Sequence, residues 1–449
     1  MLFIAHLSEI KYNWVIMKKF ALLFICFFML GLALQTGWDF RHSNSKIPVG
    51  GGETVHVFFE PYATNPALSE MVEFARLPKS ARKLIAWHRF ANRKNVIDLK
   101  EYNAEEINIP PKEGYYGYST QKVLERVLQI YLDNPETRFV FYVNLTHQNV
   151  TLVPFLKVLP QENIAHIHLY EDGYGEFFKQ AHVYTNNNRP FDAHSVKKLP
   201  DAHKGLIPWE TVFNISIHKL YPATYHIMHA DKMDDEPQLK YLYAWLKDAP
   251  IEQIDFDGLR ETMTEEQKQT VYKLAGFDYK KFYPLLHGKP TVLYTFGFTF
   301  VHTESEQAEL NLLTALKTGK LMPLKDNKPY QWFYKSHPSL KAKNYTREMK
   351  ILFPDMIEIP AQVPFEVLIL ADCKPTLTAG FGSSLFYSLN AEDVLAYVKR
   401  SNNDHYLKFL TKYNLVKPNQ ILNLTDFIDH APMNENRFKS DLFNYRNGL

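Results

Sequence analysis

Asp172 and His337 are the two side chains whose types and settings best suit proton and phosphate chemistry. Asp172 follows an apolar run that predicts a strand, IAHIHLY, and precedes Gly173, which lets the backbone turn. His337 ends a second such run, QWFYKSH, before Pro338. An acid can take a proton from a hydroxyl group, and a histidine can donate to a leaving phosphate oxygen. The pair favours a transferase with its site in a cleft, whereas a turn-forming aspartate and a polar strand-end histidine are the simpler alternatives.

Two later motifs suit nucleotide binding. Ser383 and Ser384 follow the predicted strand TLTAGF at the head of a predicted helix, where free N–H groups and two hydroxyls can hold a phosphate. Glu366 of PFEVL lies in the first turn of another predicted helix and can accept hydrogen bonds from a ribose diol. The same residues also suit helix capping and the positive end of a helix dipole, and Lys335 suits either a pocket or the surface.

Composition narrows the class of protein. The 449 residues are 46% hydrophobic and 22% charged, which is ordinary for a globular protein of two domains. A formal net charge of +2 gives no field suited to nucleic acid. The two cysteines, Cys26 and Cys373, lie in very different segments, so we expect neither a disulfide framework nor a thiolate metal site.

The N-terminal sequence predicts a targeting or membrane-anchoring segment followed by a linker. Lys18 and Lys19 precede an apolar run, FALLFICFFMLGLALQTG, which fits a secretory signal or an uncleaved membrane anchor. The polar stretch 38–53 contains three consecutive glycines and reads as a linker. We therefore expect a protein that is associated with a membrane or exported, with its globular part beginning near Thr54.

Beyond Thr54, short apolar runs alternate with amphipathic segments, which predicts an α/β protein with parallel sheets. Strands are predicted at 55–59, 83–90, 138–147, 164–170, 291–300, 331–337, 356–360, 376–381 and 394–399. Helices are predicted to start at Asn65-Pro66, at Ser119 and at Ser383, and to span 151–159, 306–318 and 364–373. Residues 175–285 are predicted to be helices and loops that cover the first sheet. Ligand groups should cluster at the strand ends Arg89, His147 and Asp172, because open α/β sheets bind there.

This pattern predicts two Rossmann-like domains that face each other across a cleft. The N-terminal domain is predicted at 54–286 and the C-terminal one at 287–430, with a hinge at His287-Gly288-Lys289-Pro290. Residues 1–53 are predicted to form the signal or anchor and linker, and 431–449 a C-terminal segment that could pack back on the first domain.

Taken together, the motifs carry a resemblance to a known family. LYEDG, FYKSHP, PFEVLILAD and GFGSSLFYSL, in this order and spacing, resemble the bacterial sialyltransferases of glycosyltransferase family 80, and the likeness extends from about residue 54 to 415. It implies a GT-B fold and metal-independent, inverting transfer of sialic acid from CMP-sialic acid to a galactoside, free or on a glycolipid. No cofactor is implied.

The resemblance also implies roles for single residues. Asp172 matches the catalytic base, and His337 matches the histidine that stabilises the departing CMP phosphate. The implied donor-binding residues are Lys335, Ser336, Pro338, Glu366, Ser383, Ser384 and His147. The implied acceptor-binding residues are Arg89, Phe300 and Asn144.

The chain departs from the family pattern mainly on the acceptor side. Glu171 replaces an aspartate before the base, Phe300 a tryptophan, and Ser339 an arginine, so the α2,3 or α2,6 linkage stays open. A transferase for another CMP-activated acidic sugar such as Kdo, and a non-catalytic glycan-binding or sugar-nucleotide-binding protein, are alternatives. A eukaryotic Golgi enzyme would suit the five N-x-S/T sequons, but it disagrees with the predicted burial of Asn144 and with the missing cysteine pairs.

Overall fold

The computed structural model describes residues 52–61, 63–90, 95–107, 116–145, 148–172, 217–231, 249–296, 303–321, 329–336, 350–399 and 405–427. Within these ranges the strands form two sheets, and every strand pair in both is parallel. Parallel strands require crossover connections, which helices usually supply. The predicted α/β class is confirmed.

The first sheet has the strand order β3-β2-β1-β4-β5-β6-β7 among the described residues. Its strands are β1 (Thr54–Glu60), β2 (Arg82–Trp87), β3 (Ala104–Glu106), β4 (Arg138–Asn144), β5 (Ile164–Tyr170), β6 (Ala223–Ile227) and β7 (Ile251–Gln253). The predicted strand 164–170 has the observed bounds of β5. Three strands of this sheet were missed: β3, β6 and β7 are short and carry polar residues, and β6 and β7 also lie within a segment predicted as helices and loops.

The second sheet has the order β10-β9-β8-β11-β12-β13. Its strands are β8 (Thr291–Thr295), β9 (Gln331–Lys335), β10 (Ile357–Ile359), β11 (Leu377–Phe381), β12 (Val394–Lys399) and β13 (Ile421–Asn423). The prediction for β12 matches its observed bounds, whereas β13 was not predicted. Since β8 begins five residues after a helix that ends at Leu286, the sheets separate near the predicted hinge, and the domain boundaries themselves stay predictions.

The helices lie between these strands along the chain. Within the described ranges they are α1 (Thr64–Arg76), α2 (Tyr116–Asp133), α3 (Gln148–Thr151), α4 (Val153–Val158), α5 (Phe256–Thr262), α6 (Glu265–Ala275), α7 (Tyr279–Leu286), α8 (Thr303–Lys317), α9 (Glu366–Leu370) and α10 (His405–Lys412). Short 3₁₀ helices span His88–Phe90, Gln161–Asn163, Ile217–Lys219, Ser384–Ser388, Ala391–Asp393, Pro418–Gln420 and Leu424–Phe427.

Two predicted helix starts were wrong. The N-cap of α1 is Ala63, without a side-chain cap, and the Asn65 side chain instead donates from Nδ2 to Met228 Sδ at 3.2 Å. Helix α2 begins at Tyr116, so Ser119 lies inside it and is buried. For Asn65 a tertiary contact outweighs the local capping preference, and the helix that contains Ser119 begins three residues before it.

Alternation along the strands places apolar side chains on both faces of the sheets. On β1, Val57 and Phe59 belong to a cluster of the first sheet alone, whereas Phe58 faces the other way. The Phe58 cluster also contains Phe333 of β9 and Leu368 of α9. One continuous apolar core therefore includes residues of both sheets.

Candidate active site

Asp172 lies at the carboxyl edge of the first sheet, two residues beyond the last residue of β5. It is partly exposed, whereas its neighbour Glu171 is 1% exposed. Adjacent residues of an extended chain point to opposite sides, so the expectation that at most one of these two acids faces a cleft agrees with their burial. Asp172 is therefore the more exposed of the two acids.

The side chain of Glu171 fastens this strand tip to β6. The Glu171 N–H donates to the His226 carbonyl at 3.0 Å, and the Met228 N–H donates to Glu171 Oε2 at 3.0 Å. If β5 and β6 continued to pair, the Met228 N–H would donate to a main-chain carbonyl oxygen of β5. It donates instead to the side-chain carboxyl group of Glu171. The chain can therefore leave the sheet immediately after Glu171, and Asp172 follows at that departure point.

Burial raises the pKa of Glu171 to about 8, and the negative charge of Asp172 adds to the rise, while the hydrogen bond from the Met228 N–H opposes it. The Glu171 carboxyl is therefore protonated at neutral pH. A neutral Glu171 places no second negative charge beside Asp172. This suits an arrangement in which Glu171 stabilises the strand tip and Asp172 accepts a proton.

Lys335 and Ser336 lie at the corresponding edge of the second sheet. Lys335, the last residue of β9, is 8% exposed, and its Nζ donates to the Ala361 carbonyl at 2.8 Å. The surface alternative for Lys335 is therefore wrong. Ser336 is buried, and its Oγ has no hydrogen-bond partner among the described residues, so this hydroxyl is available to a group that the described chain does not supply.

Glu366 opens α9 beside this strand end. It is 3% exposed, and its Oε1 accepts a hydrogen bond from Ser388 Oγ at 3.1 Å. Burial raises the pKa of Glu366, while its own N–H, the Ser388 hydroxyl and the positive charge of Lys335 all lower it. These partners favour the carboxylate form, which accepts hydrogen bonds from the hydroxyl groups of a ligand.

Ser388 was missed by the sequence analysis, although it belongs to the quoted string GSSLFYSL. The spacing of the serines in this string could have indicated Ser388, because Ser384 and Ser388 begin and end the same 3₁₀ helix. The predicted helix from Ser383 is a 3₁₀ helix of 5 residues, Ser384–Ser388, with Ser383 as its N-cap. The Ser383 hydroxyl accepts from the Leu385 N–H at 3.5 Å. So short a turn has little dipole, and a phosphate there would depend on single N–H and hydroxyl groups.

Gly380 lets the strand before this turn approach β8. Its φ is +132°, and a Cβ at this position would lie 2.2 Å from the Thr295 carbonyl oxygen. No other residue fits both the conformation and the space. The glycine of TLTAGF therefore serves the packing of the site's supporting strands.

The remaining predicted residues are placed in part or not at all. Asn144 is the last residue of β4 and is fully buried, as predicted from its strand position. Arg89 lies in the 3₁₀ helix after β2, where the predicted strand has already ended. The other predicted site residues lie outside the described ranges: His147, Phe300, His337 and Pro338. For Ser384 only the backbone is described. All these roles stay predictions.

The described part of the chain contains no group of three or more His, Cys, Asp or Glu side chains that could hold a metal ion. Within the same ranges, no helix combines the length and apolar character needed to cross a bilayer. The predicted N-terminal apolar segment and the whole predicted C-terminal segment 431–449 lie outside the described residues.

Solved structures of similar fold include sialyltransferases from Photobacterium species. A galactoside α-2,3-sialyltransferase of Photobacterium phosphoreum matches with a TM-score of 0.67 and 20% identity, covering 84% of this chain and 100% of that chain. A Photobacterium damselae sialyltransferase, solved as its GT-B domain, matches with a TM-score of 0.69 and 21% identity over 82% of this chain and 99% of that one. The chain therefore has the GT-B fold.

A protein-family comparison identifies the family. The family described as Sialyltransferase PMO188 matches residues 55–418. The chain belongs to this sialyltransferase family, and it is accordingly an enzyme, as the resemblance in the motifs implied. No curated protein sequence matches the chain.

A third solved structure includes ligands. It is the 2,6-sialyltransferase of a Photobacterium species in a ternary complex with CMP and lactose, and it matches with a TM-score of 0.68 and 21% identity over 83% of this chain and 78% of that one.

Proposed function

We propose that this protein transfers sialic acid from CMP-sialic acid to a hydroxyl group of a terminal galactoside, with inversion at the anomeric carbon. The partly exposed Asp172, held beside a neutral Glu171 at the tip of β5, is the observation that carries the proposal. Family membership supports the sialyl donor. The CMP and lactose bound in the Photobacterium complex support the nucleotide and the acceptor class.

In the proposed reaction Asp172 acts as the general base. Its carboxylate takes the proton of the acceptor hydroxyl while that oxygen forms a bond to the anomeric carbon of sialic acid. The bond from this carbon to the CMP phosphate oxygen breaks, and its electron pair leaves with CMP. Because positive charge develops on the sugar and negative charge on the phosphate, a base on one side and hydrogen-bond donors on the other stabilise the transition state.

The second sheet supplies the proposed nucleotide site. The Glu366 carboxylate, supported by Ser388 and Lys335, accepts hydrogen bonds from the ribose hydroxyls. His337, Ser383 and Ser384 stabilise the leaving phosphate. The proposed donor pocket also includes Ser336, Pro338 and His147, and the proposed acceptor contacts are Arg89, Asn144 and Phe300.

The reaction as proposed needs no metal ion, since the sequence lacks a DxD pair near a phosphate-binding loop and the histidine and serines meet the phosphate charge instead. We further propose that the apolar run after Lys19 associates the enzyme with a bacterial membrane or directs its export. In this proposal the acceptor-binding residues determine which glycan the enzyme sialylates and which linkage it forms.

Incubation of the full chain with CMP-sialic acid and lactose tests the function. We expect a product whose mass equals lactose plus one sialic acid, unchanged yield in EDTA, and loss of product in Asp172→Ala and His337→Ala. NMR of the product then assigns the linkage. Transfer from CMP-Kdo but not from CMP-sialic acid would replace the donor, and binding of CMP-sialic acid without any transfer would refute the enzyme assignment.

A further inference from the structure

A short series of contacts joins the two edges of the candidate site. Glu171, next to the proposed base, accepts from the Met228 N–H. The next residue, His229, contacts the Tyr387 carbonyl across the boundary between the two sheets. Ser388, which follows Tyr387, donates to Glu366 at the proposed ribose position. His229 therefore follows Met228, which bonds the strand tip that precedes Asp172, and it directly contacts Tyr387 in the 3₁₀ helix that carries Ser388.

The geometry of His229 restricts its ring. Its Nε2 lies 2.7 Å from the Tyr387 oxygen, and since a carbonyl only accepts, Nε2 carries the hydrogen. The ring centroid lies 6.4 Å from that of Tyr387 and 5.9 Å from that of Phe409 in α10. Tyr387 and Phe409 are buried. Packing and the hydrogen bond therefore hold the imidazole in one orientation between the halves.

Two further contacts join the two halves at a different place. The Tyr272 hydroxyl of α6 donates to the Leu370 carbonyl at 3.1 Å, and Arg260 of α5 bonds Asp372 at 3.2 Å. These contacts reach the C-terminal end of α9 and the residues after it. They hold the halves together, but they touch neither the β6 tip nor the 3₁₀ helix that carries Ser388.

We propose that His229 is a positioning residue that sets the distance between the Asp172 strand tip and the nucleotide turn, an inference that rests on the proposed function. Transfer requires the acceptor oxygen, oriented by the base, to meet the anomeric carbon at about 3–3.5 Å, and a misplacement of about 1 Å lowers the rate about 10²-fold. His229 touches no reacting atom. Its effect is to keep the two halves of the site in register.

The test compares His229→Ala, His229→Gln and the matched variant Tyr272→Phe, each in the full chain. Tyr272→Phe also removes one hydrogen bond to a main-chain carbonyl of the other half. Four quantities are measured: kcat for transfer to lactose, hydrolysis of CMP-sialic acid without acceptor, the Kd for CMP, and Tm.

We expect His229→Ala to lower kcat for transfer about 10- to 100-fold and to lower the ratio of transfer to hydrolysis, because a loosened site admits water. The Kd for CMP should change by less than about threefold, since the Ser388 contact to Glu366 is intact. His229→Gln keeps an N–H donor and should recover most of the transfer. Tyr272→Phe should keep the wild-type ratio.

Folded His229→Ala protein with wild-type transfer overturns the inference alone. Equal losses of transfer and hydrolysis, with a fall in Tm and no recovery in His229→Gln, also overturn it, because they indicate a general structural role. Wild-type protein that does not transfer sialic acid overturns the proposed function and this inference together.

Discussion

Ser388 Oγ donates a hydrogen bond to Glu366 Oε1 at 3.1 Å, and the two residues belong to different secondary structures at one sheet edge. The contact lowers the pKa of Glu366 against the rise caused by burial. A serine that the sequence analysis did not single out thereby orients the proposed ribose-binding carboxyl group and favours its ionised form.

Ser388→Ala should weaken donor binding, because a hydrogen bond to a charged group contributes about 1.5–3 kcal/mol. We expect KM for CMP-sialic acid to rise about tenfold or more with a smaller change in kcat, and the acidic limb of the pH profile to move to higher pH. Ser388→Thr, which keeps the hydroxyl, is the matched control. An unchanged KM in folded Ser388→Ala would show that Glu366 does not bind the donor.

Asp172→Ala should lower transfer to lactose by about 10²-fold or more, the range for a positioned base, and leave the Kd for CMP nearly unchanged. Initial rates by mass and calorimetric titration with CMP measure the two quantities. Asp133→Ala, an exposed acid at the end of α2, is the control. Equal transfer by both variants would remove Asp172 from the mechanism.

Glu171→Gln should stabilise the protein as pH rises. The folded pKa is about 8 against an ordinary value of 4.5, so the unfolded chain loses its proton first and the free energy of unfolding falls between pH 4.5 and 8. Glutamine has no such loss, and its advantage should grow to a few kcal/mol by pH 8, at about 1.4 kcal/mol per pKa unit. Denaturant unfolding across this range measures it.

The exposed acid Glu261 is the matched site for this comparison, and Glu261→Gln should show no growing advantage. A constant stability difference between wild type and Glu171→Gln from pH 5 to 8 would mean that Glu171 ionises normally in the folded protein.

Buried histidines on the first sheet should make the fold sensitive to acid. His168 Nδ1 and His226 Nε2 lie 3.0 Å apart, and burial, with neighbouring histidines, lowers the pKa of His168 to about 3 and of His226 to about 4. Below pH 6.5 the unfolded chain takes up protons that the folded one does not, so stability falls as pH decreases towards 4.

His168→Phe tests this source of acid sensitivity. The variant loses the hydrogen bond to His226 and should be less stable at pH 7, but it should lose less further stability between pH 6.5 and 4. Denaturant midpoints, converted with one common m-value, give the stability at pH 7 and the further loss between pH 6.5 and 4. Parallel curves for wild type and variant would place the acid sensitivity in other groups.

Gly380→Ala should destabilise the protein by about 2 kcal/mol or more, because its Cβ would lie 2.2 Å from the Thr295 oxygen at a φ of +132°. Gly276→Ala is the matched control: its φ is +70° with nothing within 4 Å of the added Cβ, so only the conformational cost of about 1 kcal/mol applies. Thermal unfolding of the two variants separates crowding from backbone strain. Equal losses would argue against the close approach of β11 and β8.

The sequence alone determined the elements whose signals are local. Apolar runs predicted β5 and β12 with their observed bounds, and the order of motifs predicted the family and the GT-B fold. A buried strand needs a run of apolar residues in either sheet, whatever its partners are, so such a run is recognisable without knowledge of the partners. The short strands β3, β6, β7 and β13 lack that run, and they were missed.

Tertiary structure alone decided how the site is held together. Asn65 looked like a helix cap but bonds Met228, Glu171 uses its side chain to end a sheet ladder, and Ser388 supports Glu366. His229 and Tyr387 meet across 158 positions of sequence. The physical reason is that such contacts depend on which strand tips the parallel order places side by side, and no local periodicity encodes that adjacency.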